Sequence, residues 1–397
     1  MDFDAASLAL HAAHAGKLEV QSNCKIETND DLSTVYTPGV AAPCREIAAS
    51  PDDAYTYTIK ARTIAVVSNG TAVLGLGNIG PQAAIPVMEG KSALFKRFGG
   101  VDAFPICVDA TTPEEVIAAV KAIAPTFGGI NLEDIKSPDC FEIEATLERD
   151  LDIPVFHDDQ HGTAIIVTAA LENALKVVGK RLGEVKVVLN GTGAAGTAIL
   201  KMLVAAGARH VVGIDSKGAI YEGRPGLNKY KAELAAITNQ GREQGGLAGV
   251  IAGADVFIGT SVPGALTQAM VRSMAARPIV FAMANPTPEI MYDAAKEAGA
   301  AVMATGRSDM PNQVNNLLAF PGIFAGALAV RARDINTPMK LAAASAIAGL
   351  VGDDERSADY IIPSALEPRV VQAVKAAVAK AAVESGVARA PEGLQEL

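Results

Sequence analysis

The sequence predicts an α/β protein: a Rossmann-like dinucleotide-binding domain in the rear half, preceded by an N-terminal α/β substrate domain. Three observations carry this. Short apolar runs alternate with helical patterns along most of the chain. A Gly-x-Gly-x-x-Gly string stands between one such run and a helix. Two pairs of acidic residues directly follow two other runs, where an open parallel sheet binds its ligands.

In the front half, runs at 63–67, 104–108, 129–132 and 154–156 are bounded by Gly or Pro and read as strands. Helical patterns at about 81–98, 113–123 and 139–151 separate them. A second series starts near His161 with a long helical pattern and passes into the β-branched run VKVVLN, which ends at Asn190. Further strands are predicted at 210–214, 255–260, 279–283 and 301–304. The tail places Val370, Val371, Val374, Ala377 and Val378 at helical spacing, the pattern of a packing helix. The expected division is 1–160, 161–365 and a helical tail 366–397.

The chain has 397 residues, half of them apolar, enough to bury a sizeable core. Its 34 basic and 44 acidic residues leave a net charge of −10, which argues against a nucleic-acid or anionic-membrane partner. The longest apolar stretches contain Pro321 or fall short of the ~20 residues of a membrane span, so no membrane is expected. The N-terminus MDFDAASLAL lacks the pattern of a secretory signal, and Cys24, Cys44, Cys107 and Cys140 form no Cys-x-x-Cys pair. Both fit a reducing, cytoplasmic location.

Gly-x-Gly-x-x-Gly occurs twice, and context separates the two. In the second, Gly191, Thr192, Gly193, Ala194, Ala195 and Gly196 follow a strand and open a helix, and the next strand ends at Asp215, 24 positions after Gly191. Small residues let the backbone approach a pyrophosphate, helix-start N–H groups stabilise its charge, and the acid accepts from a ribose hydroxyl. The alternative is a tight turn that binds nothing. Gly75, Gly77 and Gly80 lack an acid-ended strand at the right spacing and read as a structural turn or an edge of a substrate site. Glu133 and Asp134 follow one strand, and Asp158 and Asp159 follow another. Carboxylates converging there repel one another unless a hard divalent cation, Mg²⁺ or Mn²⁺, lies between them. Capping residues or a solvated face are the alternative. His157 and His161 bracket the second pair where strand becomes helix, which disfavours a zinc pair.

Lys91 lies in the apolar stretch IPVMEGKSALFKRF, where burial would lower its pKa and make it a base. Tyr36 precedes Pro38 and Gly39 in a turn. By themselves both read more readily as ordinary surface or packing residues than as proton carriers.

Taken in order, YTPGVAAPCREIA, SNGTAVLGLGNIGPQAAIPVMEGKSALFKRFGGVDAFPI, INLEDI, VFHDDQHGTA, NGTGAAG, FAMANPTPEI and NNLLAFPGIF resemble the malic enzyme family. The likeness is to its compact bacterial form, without the phosphotransacetylase-like extension of some larger relatives. The resemblance implies oxidative decarboxylation of L-malate to pyruvate and CO₂, with NAD or NADP reduced and Mg²⁺ or Mn²⁺ required. It implies Tyr36 as general acid, Lys91 as general base with Asp158 beside it, and Glu133, Asp134 and Asp159 as metal ligands. Asn285 and Asn315, with Asn316 as an adjacent alternative, would hold substrate carboxylate and cofactor groups. A homodimer is expected from the family. Larger eukaryotic relatives carry a substrate-clamping arginine where this chain has Ala72. Asp215 favours NAD, whereas Ser216 and Lys217 after it can pair with a 2′-phosphate, and the balance tilts slightly to NADP. Malolactic decarboxylation at the same site and a non-catalytic nucleotide sensor are the other readings. A phosphoryl-transfer enzyme is disfavoured because Gly90, Lys91 and Ser92 lack a glycine at position 85, which is Ile85.

Overall fold

A computed structural model describes residues 2–392 and arranges ten strands in two sheets. The first contains β1 (Thr63–Ser68), β2 (Asp102–Cys107), β3 (Gly129–Leu132) and β4 (Val155–His157) in the order β2-β1-β3-β4, all parallel. The second contains β5 (Lys186–Asn190), β6 (His210–Asp215), β7 (Gly218–Ala219), β8 (Val256–Gly259), β9 (Ile279–Ala282) and β10 (Val302–Thr305). Its order is β10-β9-β8-β5-β6-β7, parallel except for β7.

The strand predictions fall on these elements to within one residue, except that β2 starts two residues earlier, at Asp102, and β7 is not predicted. Two residues are too few to set up a hydrophobic period. All six residues of β1 are buried, as expected for a central strand covered on both faces. β2 contains Pro105 and lies at the sheet edge, where a missing N–H donor breaks no ladder. The helix Pro113–Ile123 begins with a capping box between Thr112 and Glu115 and has Pro113 in its first turn.

One apolar core runs through both sheets. The helix Phe320–Ala329 belongs to the rear of the chain yet packs on the first sheet. Phe320 and Phe324 sit 4.6 and 5.4 Å from the Phe95 ring, and Phe324 lies 5.8 Å from Phe156, in edge-on contacts. The opposite side of that helix meets the tail helix Arg369–Glu384. A Cβ on Gly322 would come within 2.7 Å of Val374, and one on Gly326 within 2.6 Å of the Lys375 carbonyl, so the two glycines permit the close crossing. The tail helix is thus a packing helix, as its pattern predicts, and shares the core.

The N-terminal segment behaves differently. Helices Phe3–His14, Asn29–Val35 and Ala41–Ala49 bury no residue, and Phe3, Leu8, Val20 and Tyr36 are exposed. Among the described residues, no helix is long and apolar enough to cross a membrane.

Because Phe324 joins the first sheet to the C-terminal helices, Phe324→Ala is expected to cost about 3–5 kcal/mol, read as a lower thermal midpoint. An unchanged midpoint would mean that the two units do not depend on this contact.

Candidate active site

Every acid the sequence singles out in the front half lies just beyond the carboxyl end of β3 or β4. Glu133 follows β3, its N–H donating to the Val67 carbonyl of β1 at 2.9 Å. Asp134 comes next with a left-handed backbone (φ 54°), uncommon for a residue with a Cβ and of the kind found where function requires it. Its N–H donates to Asp159 Oδ2 at 2.8 Å, which joins the two strand ends. Asp158 and Asp159 form the first turn of the helix Asp158–Val178.

Lys91 reaches this cluster from the helix Gly80–Leu94, its Nζ 2.5 Å from Asp158 Oδ2 and 3.0 Å from Glu133 Oε1. The ammonium also stands 4.0 Å from the centre of the Phe320 ring. Asp158 is fully buried and accepts a further bond from Asn316 Nδ2 at 3.0 Å. Gly162 makes room for it: a Cβ there would lie 1.9 Å from Asp158 Oδ1.

One expectation is corrected here. Burial does push the Lys91 amine down, but the charges of Asp158 and Glu133 overcome it and hold the group above its ordinary value. In the bare cluster Lys91 is therefore an ammonium, not the neutral base that burial alone predicts. Glu133 lies well above the usual carboxylate range, from burial first, partly offset by Lys91, and then from its acidic neighbours. Asp134 is pushed up to about 7 by burial and by Asp159.

Glu133, Asp134 and Asp159 each offer an oxygen within 4.8 Å of the others. Asp134 Oδ2 is buried without a partner, and Asn131 Nδ2 orients Glu133 Oε2 at 2.9 Å. An all-oxygen set with an unpaired buried carboxylate oxygen suits a hard divalent cation. His157 and His161 take no part in a zinc pair: His161 Nε2 is bonded to Glu144 at 2.9 Å, and His157 Nε2 is 3.6 Å from Asp159.

The second glycine loop lies at the end of β5, against the end of β8, where the order of the second sheet reverses. That is the ligand crevice of a doubly wound sheet. Gly191 adopts φ 108°, and a Cβ on it would meet the Thr260 carbonyl at 2.4 Å. A Cβ on Gly196 would meet the Gly191 carbonyl at 1.9 Å, so only glycine lets helix Ala194–Ala205 pack this close. No side chain caps that helix, and Thr192 Oγ1 is buried without a partner. Its free N–H groups make an anion site beside a cavity of ≈ 430 Å³, lined by Gly191, Thr192, Gly193, Asp215, Ser216 and Lys231 among others.

Asp215 is corrected as well. Its Oδ1 accepts from the Lys217 N–H and Arg224 Nη1, both at 2.9 Å, and its Oδ2 from Arg224 Nη2 at 2.5 Å and Lys231 Nζ at 2.6 Å. Burial opposes the charge, but these bonds hold the carboxyl below the usual range. Four donors fill the acceptor directions of one carboxylate, leaving none for a ribose hydroxyl.

Comparison with known proteins covers both halves of the chain. The family description "malic enzyme, N-terminal domain" matches residues 15–148, and "malic enzyme, NAD binding domain" matches residues 160–384. The chain belongs to the malic enzyme family. It is 60% identical over 384 residues to a bifunctional malic/malolactic enzyme of Bacillus subtilis, covering 96% of this chain and 94% of that one. It is 60% identical over 374 residues to an NAD-dependent malic enzyme of Geobacillus stearothermophilus, covering 94% and 78%. The crystal structure of malic enzyme from Pyrococcus horikoshii superimposes with a TM-score of 0.92 at 50% identity, covering 96% of this chain and 90% of that one.

Within this malic enzyme frame the remaining candidates separate. Asn316 bonds Asp158, whereas Asn315 uses its Oδ1 to accept the Leu317 N–H and cap a short turn. Asn285 lies where the two halves meet: a Cβ on Gly75 would be 3.5 Å from its carbonyl, and one on Gly306 would be 3.2 Å from its Nδ2. The first glycine loop thus borders Asn285 where the two halves meet. The Ala72 N–H donates to the Asp134 carbonyl at 2.9 Å, so this position borders the acidic cluster. Tyr36 ends the helix Asn29–Val35, is 67% exposed, and has no bond to Lys91 or its carboxylates within one chain. Arg224, Lys231, Glu144 and Gln160 were not anticipated, since their spacing carries no motif.

With Asp134 raised to about 7, a proton must leave before a cation binds. Mn²⁺ affinity is expected to fall by about tenfold per pH unit below that value and to level off above it. Isothermal titration between pH 5.5 and 8.5 checks this, and a flat profile would remove Asp134 from the ligand set.

Proposed function

We propose that this protein oxidatively decarboxylates L-malate to pyruvate and CO₂ while reducing a nicotinamide cofactor, with a divalent metal bound by Glu133, Asp134 and Asp159. The observation that carries the reading is the single cluster in which Lys91, Asp158 and three oxygen ligands meet at the strand ends. When bound, the nicotinamide would supply the hydride acceptor for malate C2, and an ion held by Glu133, Asp134 and Asp159 would supply a Lewis acid for the C2 oxygen.

The chain's own residues do the rest. Asp158, buried and oriented by Asn316, holds the Lys91 amine in place, and that amine, once its surplus proton has left to solvent, accepts the proton of the C2 hydroxyl. Loss of CO₂ leaves the enolate of pyruvate, whose C3 takes the phenolic proton of Tyr36. The loop Gly191–Gly196 holds the pyrophosphate through helix-start N–H groups. Asn285, at the meeting of the two halves, holds the substrate carboxylate or the nicotinamide side, with Asn315 beside it. The apolar N-terminal segment, which exposes Phe3, Leu8, Val20 and Tyr36, supports a homodimer in which a second copy covers it. A cytoplasmic location fits four free cysteines.

NADP is the preferred cofactor in this reading. Asp215 has no acceptor left for a ribose hydroxyl, and Arg224 and Lys231 together outweigh its charge beside the cavity. The relation to a malic/malolactic enzyme of Bacillus subtilis favours a second reading, in which the same site retains its cofactor and releases lactate.

The deciding assay follows reduced-nicotinamide absorbance with L-malate, Mn²⁺ and either cofactor, with lactate measured in parallel. Reduction that stops on adding EDTA is expected, and no reduction with either cofactor would defeat the reading. Lys231→Gln is expected to raise KM for NADP by about tenfold and to leave KM for NAD within about twofold. Equal effects on both would remove the charge argument.

A further inference from the structure

The helix Asp158–Val178 carries two of the site's acids in its first turn, yet no side chain of its own caps it. The first turn of a helix leaves backbone N–H groups without partners and concentrates positive potential there. In this fold the opposing charge comes from elsewhere. Glu144, on the helix Asp139–Asp150, is buried and directs both oxygens at that junction. Its Oε1 accepts the His157 N–H at 2.7 Å, and its Oε2 accepts from Gln160 Nε2 and pairs with His161 Nε2, both at 2.9 Å. These three partners flank Asp158 and Asp159 on either side in sequence. Gln160 is itself buried, and its amide nitrogen is held by Glu144. Burial opposes ionisation of Glu144, but the contacts with His161 bring its carboxyl down to about 2, so it stays charged.

We propose that Glu144 is a positioning residue for the metal site: its buried carboxylate clamps residues 157, 160 and 161 and so aims Asp158 at Lys91 and Asp159 at the cation. The assignment rests on the metal-dependent reading above. Glu144 touches neither substrate nor cation and acts only through the turn it holds. Its helix follows the segment that bears Glu133 and Asp134, so one side chain links the two stretches of chain that supply the three ligands. Outer residues of this sort set ligand orientation, and their loss typically weakens metal binding by about 10–100-fold.

The test uses the full chain and reads Mn²⁺ affinity without malate, beside NADP affinity as an internal control. Glu144→Gln keeps the shape but places an amide against donors. It is expected to raise the Mn²⁺ Kd by about tenfold or more and to lower kcat, with the NADP Kd within about twofold of the parent. His161→Phe, which removes one of the three partners, is expected to give a smaller loss in the same direction, and His161→Gln, which keeps a donor, to restore most of it. The His161 pair carries the test if Glu144→Gln does not fold. A folded variant whose Mn²⁺ Kd is unchanged would overturn the assignment. So would parallel losses of Mn²⁺ and NADP binding together with a collapsed melting temperature, since that marks a purely structural role. Absence of Mn²⁺ binding by the parent chain would instead defeat the metal-dependent reading, and this assignment with it.

Discussion

Four carboxylates and one ammonium share a small, largely dry volume at the ends of β3 and β4, and the rest of the molecule is arranged around that conflict. Coulomb energies grow as water is removed, so the ionised forms of Glu133 and Asp134 are disfavoured there with Lys91 as the cluster's cation. The fold answers in two ways. It pairs Lys91 with the deepest acid, Asp158, and with Glu133. It also leaves oxygens of Glu133, Asp134 and Asp159 within 4.8 Å of one another, with Asp134 Oδ2 unpaired, a set that suits a divalent cation. The upward shifts of Glu133 and Asp134 are the electrostatic signature of that gap.

The same reasoning connects the front half to the rear. Asp158 ends the first sheet's contribution and begins the helix Asp158–Val178, which runs into the core of the second unit. Asn316 and Phe320, both from the rear, close over the Asp158–Lys91 pair. The Asp158–Lys91 pair, itself from the front half, is therefore enclosed by residues of the rear, and the shared core under Phe95, Phe156 and Phe324 keeps the two in register. The N-terminal segment stands outside this arrangement: it buries none of its helical residues and carries Tyr36 on an uncovered surface.

At the cofactor end the balance is reversed. Asp215 stands at the end of β6, where an acid usually meets a ribose, but Arg224 and Lys231 have neutralised it and leave a cationic surplus. A carboxylate's location and its availability are separate properties, because acceptor directions are limited in number. Asn315 and Asn316 make the same point with adjacent residues of identical chemistry: one caps a turn and the other reaches Asp158.

The order of strands and helices was legible in the sequence because hydrophobic period, glycine, proline and capping residues act over a few positions. So were the glycine loop between β5 and its helix, the two acid pairs at strand ends and Lys91 in its apolar stretch, since each is a local pattern. The tertiary structure alone decided the charge of Lys91, the occupancy of Asp215, the choice between Asn315 and Asn316 and the clamp made by Glu144. Lys91 and Asp158 are 67 positions apart, and Asn316 lies 158 from Asp158. A protonation state or a filled acceptor depends on which charges packing brings within a few ångströms, and no short stretch of chain contains that information.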